Sequence, residues 1–453
     1  MKAAVKTLGC KVNQYESEMI KERFSQAGYE IVSEEERADV YIINTCTVTH
    51  LADRKSRQYI RKMKKISPES LVVVTGCYAQ VSPEEVAAIE EVDIVTGSNQ
   101  KSDLPKLVSE YRSRESSLCM TTVQPYEALD TYRETGIITS MEGRTRAFVK
   151  IQEGCNRFCS YCIIPYARGR VRSRNPEDII HEVSSLLERG FKEIVLTGIN
   201  TALYAMEDMN QEKIQKAEAD NRPYGIEMIL DRLEAMPGDF RVRLSSLEPT
   251  VINREYVKRL MKYQRLCPHL HLSVQSGSDR VLKLMNRRYD RAEYLEIVKV
   301  LKEKDPSYGI TTDIIAGFPG EKEEDFQDSL KIIEEVGFCK VHAFNYSKRK
   351  GTPAASMKDQ VNPQVKNRRV KELIEAGNQA SLAFFKKSLG ERRRVLLEEE
   401  VVIQGERYAT GYTENYIKAY LPVSQLENRD FTGSFVDVCV GQPFSAGVLC
   451  SII

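Results

Sequence analysis

The sequence predicts a multidomain α/β chain: an N-terminal doubly wound parallel sheet, a central partial (β/α)6 barrel and a small C-terminal β-barrel. Three observations predict it. The first hundred residues alternate short apolar runs with helical patterns, as a parallel sheet covered by helices does. From about Arg144 six strand-then-helix units follow one another, two short of a closed eight-stranded barrel. Beyond Gly390 come short strands with close turns, which suit a small barrel. The expected boundaries are 1–118, a linker 119–143, 144–373, and 374–453 with its leading helix.

Composition narrows the function classes. At 453 residues with 42% hydrophobic side chains, the chain is an ordinary globular protein with several cores. A formal net charge of +1 advertises no nucleic-acid partner globally, so any RNA contact must be a local patch. No apolar run approaches the ~20 residues that cross a bilayer, and Lys6 interrupts any secretory leader, so no membrane partner is expected. Eleven cysteines, an odd number spread along the chain, do not make a disulfide framework. They imply a cytoplasmic protein with reduced thiols available for metal.

In the first segment, strands are expected at Ala3 to Leu8, Asp39 to Asn44 and Leu71 to Thr75. Helices should follow at Gln14 to Ala27, His50 to Lys65 and Ser82 to Glu91. Cys10, Cys46 and Cys77 each stand just past the carboxyl end of one of these strands. Open α/β sheets bind ligands along that edge, so the topology should gather the three thiols. A lone strand-end cysteine is usually a small buried apolar residue. Three of three at one edge read instead as a metal site. Three thiolates leave one iron of a four-iron cluster open, whereas a simple ferredoxin fills all four. An open iron can carry an exogenous sulfur atom.

The central segment begins with a strand at Ala147 to Gln152 and runs into Gly154-Cys155-Asn156-Arg157-Phe158-Cys159-Ser160-Tyr161-Cys162. Structural zinc wants four ligands in paired arms, and no His or second cysteine pair lies near this loop. The spacing is similar to the radical-SAM signature, C-x3-C-x-aromatic-C. There, three thiolates hold a [4Fe–4S] cluster, and its open iron takes the amine and carboxylate of S-adenosylmethionine (SAM).

Later strands are expected at Glu193 to Thr197, Arg241 to Ser245, His269 to Val274, Ile310 to Ile315 and Val341 to Tyr346. Catalytic groups of such barrels lie on the carboxyl-end loops. Gly198 would let backbone approach a bound amino-acid moiety. Glu248 and Gln275 would hydrogen-bond ribose hydroxyls, and Tyr161 and Phe318 would cover an adenine. Each alone also fits a turn or cap; their shared placement at strand ends favours the ligand.

Two regions suggest RNA. The stretch from Arg54 to Lys65 contains no acidic residue, so Arg57, Arg61 and Lys64 are expected phosphate contacts. Arg168, Arg170, Arg172 and Arg174 alternate just beyond the cysteine loop and would extend that basic rim. In the C-terminal barrel, Tyr408, Tyr412, Tyr416, Lys418 and Tyr420 interleave aromatics with a cation, which suits RNA and equally suits strand packing. Tyr412 and Lys418 are the expected contacts there.

Taken together, these motifs resemble the methylthiotransferase family end to end. Cys10, Cys46 and Cys77 match its auxiliary-cluster ligands, Cys155, Cys159 and Cys162 its radical-SAM ligands, and the tail resembles its RNA-binding TRAM domain. Thr7-Leu8-Gly9-Cys10-Lys11-Val12-Asn13 and the segment from Gly154 to Gly169 look most like the branch that makes 2-methylthio-N6-threonylcarbamoyladenosine at position 37 of tRNA. The isopentenyladenosine branch typically reads Tyr-Gly-Cys-Gln-Met-Asn at the first site, and the ribosomal-protein branch has Pro-Lys-Asn after that cysteine; neither fits. The resemblance implies two [4Fe–4S] clusters and SAM as cofactors. It also implies a tRNA anticodon arm as partner and a one-electron donor of flavodoxin or ferredoxin type. One SAM would methylate a sulfur on the auxiliary cluster. A second would be cleaved to a 5′-deoxyadenosyl radical that activates C2 of the adenine. That C–H bond is neither acidic nor electrophilic, so a cofactor must carry the hard step. The rivals are a methylthiotransferase for isopentenyladenosine or a ribosomal protein, and a two-cluster electron carrier. The long polar stretch from Ala205 to Tyr224 departs from the pattern.

Overall fold

The computed structural model describes residues 1–115, 118–132, 136–138, 141, 143–426 and 431–453. Residues 133–135, 139–140 and 142 of the expected linker lie outside the described residues.

The N-terminal sheet contains β1 (Lys2–Thr7), β2 (Glu30–Val32), β3 (Val40–Thr45), β4 (Leu71–Gly76), β5 (Ile94–Thr96) and β6 (Met120–Thr122), all parallel in the order β2-β1-β3-β4-β5-β6. Every residue of β3 is buried, as expected for a central parallel strand with both faces covered. The order reverses between β1 and β3, so their carboxyl ends flank the switch point where such sheets bind ligands. Helices α1 (Lys11–Gln26), α2 (His50–Ile66), α3 (Cys77–Val81), α4 (Pro83–Ala87) and α5 (Leu104–Arg112) connect the strands. Two expectations change. The helix expected from Ser82 begins at Cys77 itself and is interrupted at Ser82, because Pro83 starts a fresh helix as a first-turn residue. Strands β2, β5 and β6, three residues each, are too short to show a sequence period.

The central strands are β7 (Arg146–Lys150), β10 (Glu193–Thr197), β11 (Arg241–Leu244), β12 (Ser246–Leu247), β13 (His269–Leu272), β14 (Gly309–Ala316) and β15 (Lys340–Asn345). The numbering includes a short antiparallel pair, β8 (Gln152–Glu153) with β9 (Arg172–Ser173). Ladders β11-β10-β7 and β12-β13-β14-β15 are joined because only Ser245 separates β11 from β12. The result is the expected open, six-stranded parallel barrel. Helices α6 (Ile164–Arg168), α7 (Pro176–Glu188), α8 (Gln211–Ala219), α9 (Glu227–Glu234), α10 (Arg254–Leu260), α11 (Asp279–Leu284), α12 (Arg291–Lys304) and α13 (Glu323–Val336) connect its strands. The polar stretch after β10 is folded: Asn210 caps α8 by accepting from Lys213 N at 2.9 Å, and Tyr224 donates to Glu218 at 2.7 Å.

After α14 (Pro353–Ser356), α15 (Pro363–Lys387) leads into β16 (Arg392–Ile403), β17 (Glu406–Thr413), β18 (Lys418–Pro422), β19 (Phe435–Phe444) and β20 (Gly447–Ile452). These close into a small barrel in the order β16-β17-β18-β20-β19. It docks on the amino ends of the central strands, the face opposite the cysteine loops. Arg241 donates to the Tyr412 carbonyl at 2.8 Å, Arg243 to the Glu414 carbonyl at 3.0 Å, and Asn415 to the Ser307 carbonyl at 3.0 Å. Glu193 holds both arginines, and they keep its carboxyl well below the usual range despite burial. Among the described residues no helix is long and apolar enough to cross a membrane.

Candidate active site between two cysteine triads

The first triad forms as the topology requires. Cys10 follows β1 and caps α1, Cys46 follows β3, and Cys77 opens α3 after β4. Gly9 has a φ of +108°, and a side chain there would stand 2.6 Å from Cys46 Cβ and 3.0 Å from its Sγ, so only glycine lets these loops meet. Asn13 braces them, donating to the Leu8 carbonyl at 2.7 Å and the Thr45 carbonyl at 2.9 Å. Burial pushes the Cys46 thiol up to about 12, and Cys77 and Cys10 push the same way.

The second triad sits on the loop after β7. Gly154 has a φ of +73°, and a side chain there would overlap the Arg170 carbonyl oxygen at 1.8 Å. The barrel pins the loop: Ser160 N donates to the Met285 carbonyl at 3.0 Å, and its own carbonyl accepts from Ala354 N at 2.8 Å. Burial raises the Cys155 thiol to about 11, and burial with Cys159 and Cys155 raises Cys162 further. Neighbouring thiols that resist ionising become ligands only when a cation offsets their charge. Each triad offers three thiols, whereas structural zinc takes four ligands in paired arms, so both donor sets fit an iron–sulfur cluster with one open iron better than zinc.

A cavity of about 230 Å³ lies beside the second triad, lined by all three cysteines and by Tyr161, Asn200, Glu248, Gln275 and Arg287. Arg287 donates to Glu248 at 3.1 Å and to the Tyr161 hydroxyl at 2.8 Å. Glu248 also accepts from Asn200 at 3.0 Å and Thr250 at 3.1 Å, and pairs with Arg157 at 3.0 Å. Arg287 Nε and Asn200 Oδ1 are buried without a hydrogen-bond partner among the described residues. A free donor and a free acceptor suit a ligand that carries both a carboxylate and an amine, as SAM does. Gln275 adopts a φ of +66°, a strained backbone of the kind stored at functional sites. Arg287→Lys is expected to weaken SAM binding about ten-fold, the worth of one charged hydrogen bond, in anaerobic calorimetry.

Two expected SAM contacts are corrected. Gly198 does not line this cavity: a side chain there would stand 2.9 Å from Gln152 Oε1, so the glycine admits Gln152. Phe318 is fully buried behind Tyr161, edge-on at 6.3 Å, and supports that ring from within the core. Sequence reasoning missed Arg157, Asn200 and Arg287. Asn200 stands two residues beyond Gly198 on the loop after β10, where its strand-end position could have found it, and Arg287 follows no motif.

A larger cavity of about 540 Å³ separates the triads. Cys10 and Cys46 line one wall and Cys162 another, while Gln275 and Asp313 line both cavities. Cys77 lies behind the first wall and accepts a hydrogen bond from Arg168 Nε at 3.2 Å.

Arg168 therefore differs most from expectation. It is 0% exposed and cannot meet a phosphate. From α6 of the barrel it crosses into the N-terminal domain, bonding Glu16, Asn13 at 2.5 Å and, on its own side, Glu153 at 2.7 Å. Lys101 and Lys150 each pair with Glu16 at 2.9 Å, completing a buried knot. Arg172 and Arg174 are buried as well, leaving Arg170 as the exposed member of that alternation. On α2, Arg57 pairs with Glu85 at 3.2 Å, Arg61 with Glu91 at 3.8 Å and Lys64 with Asp93 at 3.2 Å. The acids come from α4 and the turn after it, so this face is neutralised. Tyr412 is half-buried beneath Arg146 at 5.0 Å and stacks on Tyr416, which stacks on His269; these rings join the two barrels. Lys418 lies 3.6 Å from Glu399.

Residues 2–97 match the uncharacterized protein family UPF0004, and residues 149–333 match the Radical SAM superfamily. The radical S-adenosylmethionine methyltransferase TsrM from Kitasatospora setae, solved with cobalamin and a [4Fe-4S] cluster, superposes with a TM-score of 0.56. At 15% identity over 78% of this chain and 77% of that one, the likeness is one of fold. Fold and cysteine loop thus define a radical-SAM enzyme. The threonylcarbamoyladenosine tRNA methylthiotransferase MtaB of Bacillus subtilis is 40% identical over 99% of this chain and 96% of its own length. Its counterpart in Aquifex aeolicus is 40% identical over 92% and 97%, and the tRNA-2-methylthio-N(6)-dimethylallyladenosine synthase of Carboxydothermus hydrogenoformans is 37% identical over 95% and 94%. The chain belongs to the methylthiotransferase family of radical-SAM enzymes.

Proposed function

We propose that this enzyme transfers a methylthio group to C2 of N6-threonylcarbamoyladenosine at position 37 of tRNA. The observation that carries the reading is one cavity lined by cysteines of both triads, Cys10 and Cys46 from the first and Cys162 from the second. Its walls are mainly apolar, with Val48, Ile315, Phe344 and Tyr346 beside Asn345 and Ser347, and suit a flat base edged with polar groups. The near full-length similarity to relatives named for threonylcarbamoyladenosine supports this branch.

In this reading Cys10, Cys46 and Cys77 hold an auxiliary [4Fe–4S] cluster, and Cys155, Cys159 and Cys162 hold the one that takes SAM. When bound, these groups supply a one-electron route to an unreactive C–H bond and the sulfur to be delivered. Arg287 and Asn200 orient the amino-acid end of SAM, while Tyr161, braced by Phe318, walls its cavity. Gln275 and Asp313 stand between the SAM cavity and the base. The apolar walls exclude water, and the adenine leaves its stack to enter. The N-terminal sheet, which β6 carries past the expected end at 118, the six-stranded barrel and the small barrel after α15, a helix that runs unbroken across the expected 373/374 boundary, serve as auxiliary-cluster, radical-SAM and RNA-binding units in a cytoplasmic enzyme served by a flavodoxin- or ferredoxin-type donor.

Mass spectrometry of tRNA nucleosides from cells lacking the protein tests this. The methylthiolated threonylcarbamoyladenosine should vanish and its unmethylthiolated precursor accumulate. Loss of the isopentenyladenosine product, or of a methylthiolated ribosomal protein, would move the enzyme to another branch. Absence of reductive SAM cleavage in the purified protein would leave an electron carrier.

A further inference from the structure

The mouth of the larger cavity is a seam between residues 47–55 of the N-terminal domain and residues 344–350 of the barrel. The seam is tied shut at its base. His50 N donates to Ser347 Oγ at 3.2 Å, and Arg349 donates to Thr47 Oγ1 at 2.7 Å and to Asp53 at 2.6 Å. Above these ties, three large apolar side chains face solvent: Val48 is 49% exposed, Leu51 52% and Phe344 46%. Val48 and Phe344 also line the cavity, so the apolar strip runs continuously from the surface to the cysteines.

The same two segments carry Arg54, Lys55, Lys348, Arg349 and Lys350 against one acid, Asp53, which Arg349 neutralises. Arg54, Lys55, Lys348 and Lys350 are exposed and have no ion-pair partner among the described residues. The α2 cations Arg57, Arg61 and Lys64, by contrast, are all paired. Free cations flanking an exposed aromatic above a base-sized cavity are what a single-stranded RNA loop requires: stacking on the ring and phosphates on the rim.

We propose that this seam is the docking surface for the anticodon loop, with Phe344 stacking on a base adjacent to the one in the cavity and Lys348 and Lys350 holding backbone phosphates. The proposal rests on the tRNA reading above and moves the RNA contacts from the outer face of α2 to the cavity mouth. A protein partner would use the apolar strip alone, with little dependence on salt.

The test is fluorescence anisotropy of the anaerobic, cluster-loaded enzyme with a labelled anticodon stem–loop carrying N6-threonylcarbamoyladenosine, at several salt concentrations. An RNA duplex of equal length serves as comparison. Lys348→Gln with Lys350→Gln should weaken hairpin binding about ten-fold and lower the salt slope by roughly 1.4, the single-strand value for two phosphates. Phe344→Ala should weaken it about ten-fold with the slope unchanged. Arg57→Gln with Arg61→Gln should stay within about two-fold. Iron content and melting temperature confirm that each variant is folded. Hairpin binding that survives in the seam variants and falls in the α2 variant would overturn the proposal, as would loss on Phe344→Ala with no salt slope in the parent enzyme. An unaltered enzyme that does not prefer the hairpin to the duplex would overturn the tRNA reading itself.

Discussion

Cys46→Ala is expected to reduce methylthio transfer to background while leaving reductive SAM cleavage at the level of the unaltered enzyme. Cys46 belongs to the triad built by β1, β3 and β4, and none of its atoms lines the cavity that holds Arg287 and Glu248. Removing its thiol leaves two ligands for the auxiliary site and all three for the other. Iron in anaerobically reconstituted protein should fall from roughly eight atoms to about four. Product is read by nucleoside mass spectrometry, and cleavage by release of 5′-deoxyadenosine. Retained methylthio product would remove Cys46 from the chemistry. Loss of both activities with all iron gone would mean that the two sites are one structural unit.

Arg168→Leu is expected to destabilise the protein by about 3–5 kcal/mol, the usual cost of stranding buried charges. The guanidinium bonds Glu16 and Glu153, and its loss leaves Lys101 and Lys150 to compensate both carboxylates. Burial alone would raise these carboxyls. Lys150 and then Arg168 outweigh it for Glu153, holding it down to about 2, and Arg168 foremost holds Glu16 well below its usual range. A depressed carboxyl contributes stability that is full above the ordinary Glu range and is lost as pH falls through the folded value. Urea unfolding should therefore show the unaltered protein weakening from about pH 4.5 toward pH 2, and the variant starting lower with a shallower acid limb. A variant as stable as its parent at pH 7 would show that the knot does not bind the domains.

Much of this architecture is legible in the chain. The six barrel strands and the five strands of the small barrel announce themselves by apolar runs bounded by glycine and polar turns. The six cysteines are legible because strand ends and a compact loop spacing put them at one edge without any knowledge of side-chain contacts. What fails is the reading of charge. Arg57, Arg61 and Lys64 look like a bare basic face because their acids, Glu85, Glu91 and Asp93, lie a strand and a turn away. Arg168 looks like a rim residue because nothing local reveals that Glu16, 152 residues earlier, waits in the interior. Tyr412 looks like an RNA platform because the strand pattern does not say which barrel face meets another domain. Periodicity reports how a segment presents itself; it does not report what long-range folding sets against it.

The Glu16 knot also limits how this enzyme can be recombined. One side brings Glu16 and Lys101; the other brings Lys150, Glu153 and Arg168. A chimaera that borrows its first module from a distant paralogue without an acid at the Glu16 position would inherit stranded cations in the joint. Viable swaps must carry those residues across as a set, and libraries joined between β6 and β7 should be filtered for that match first.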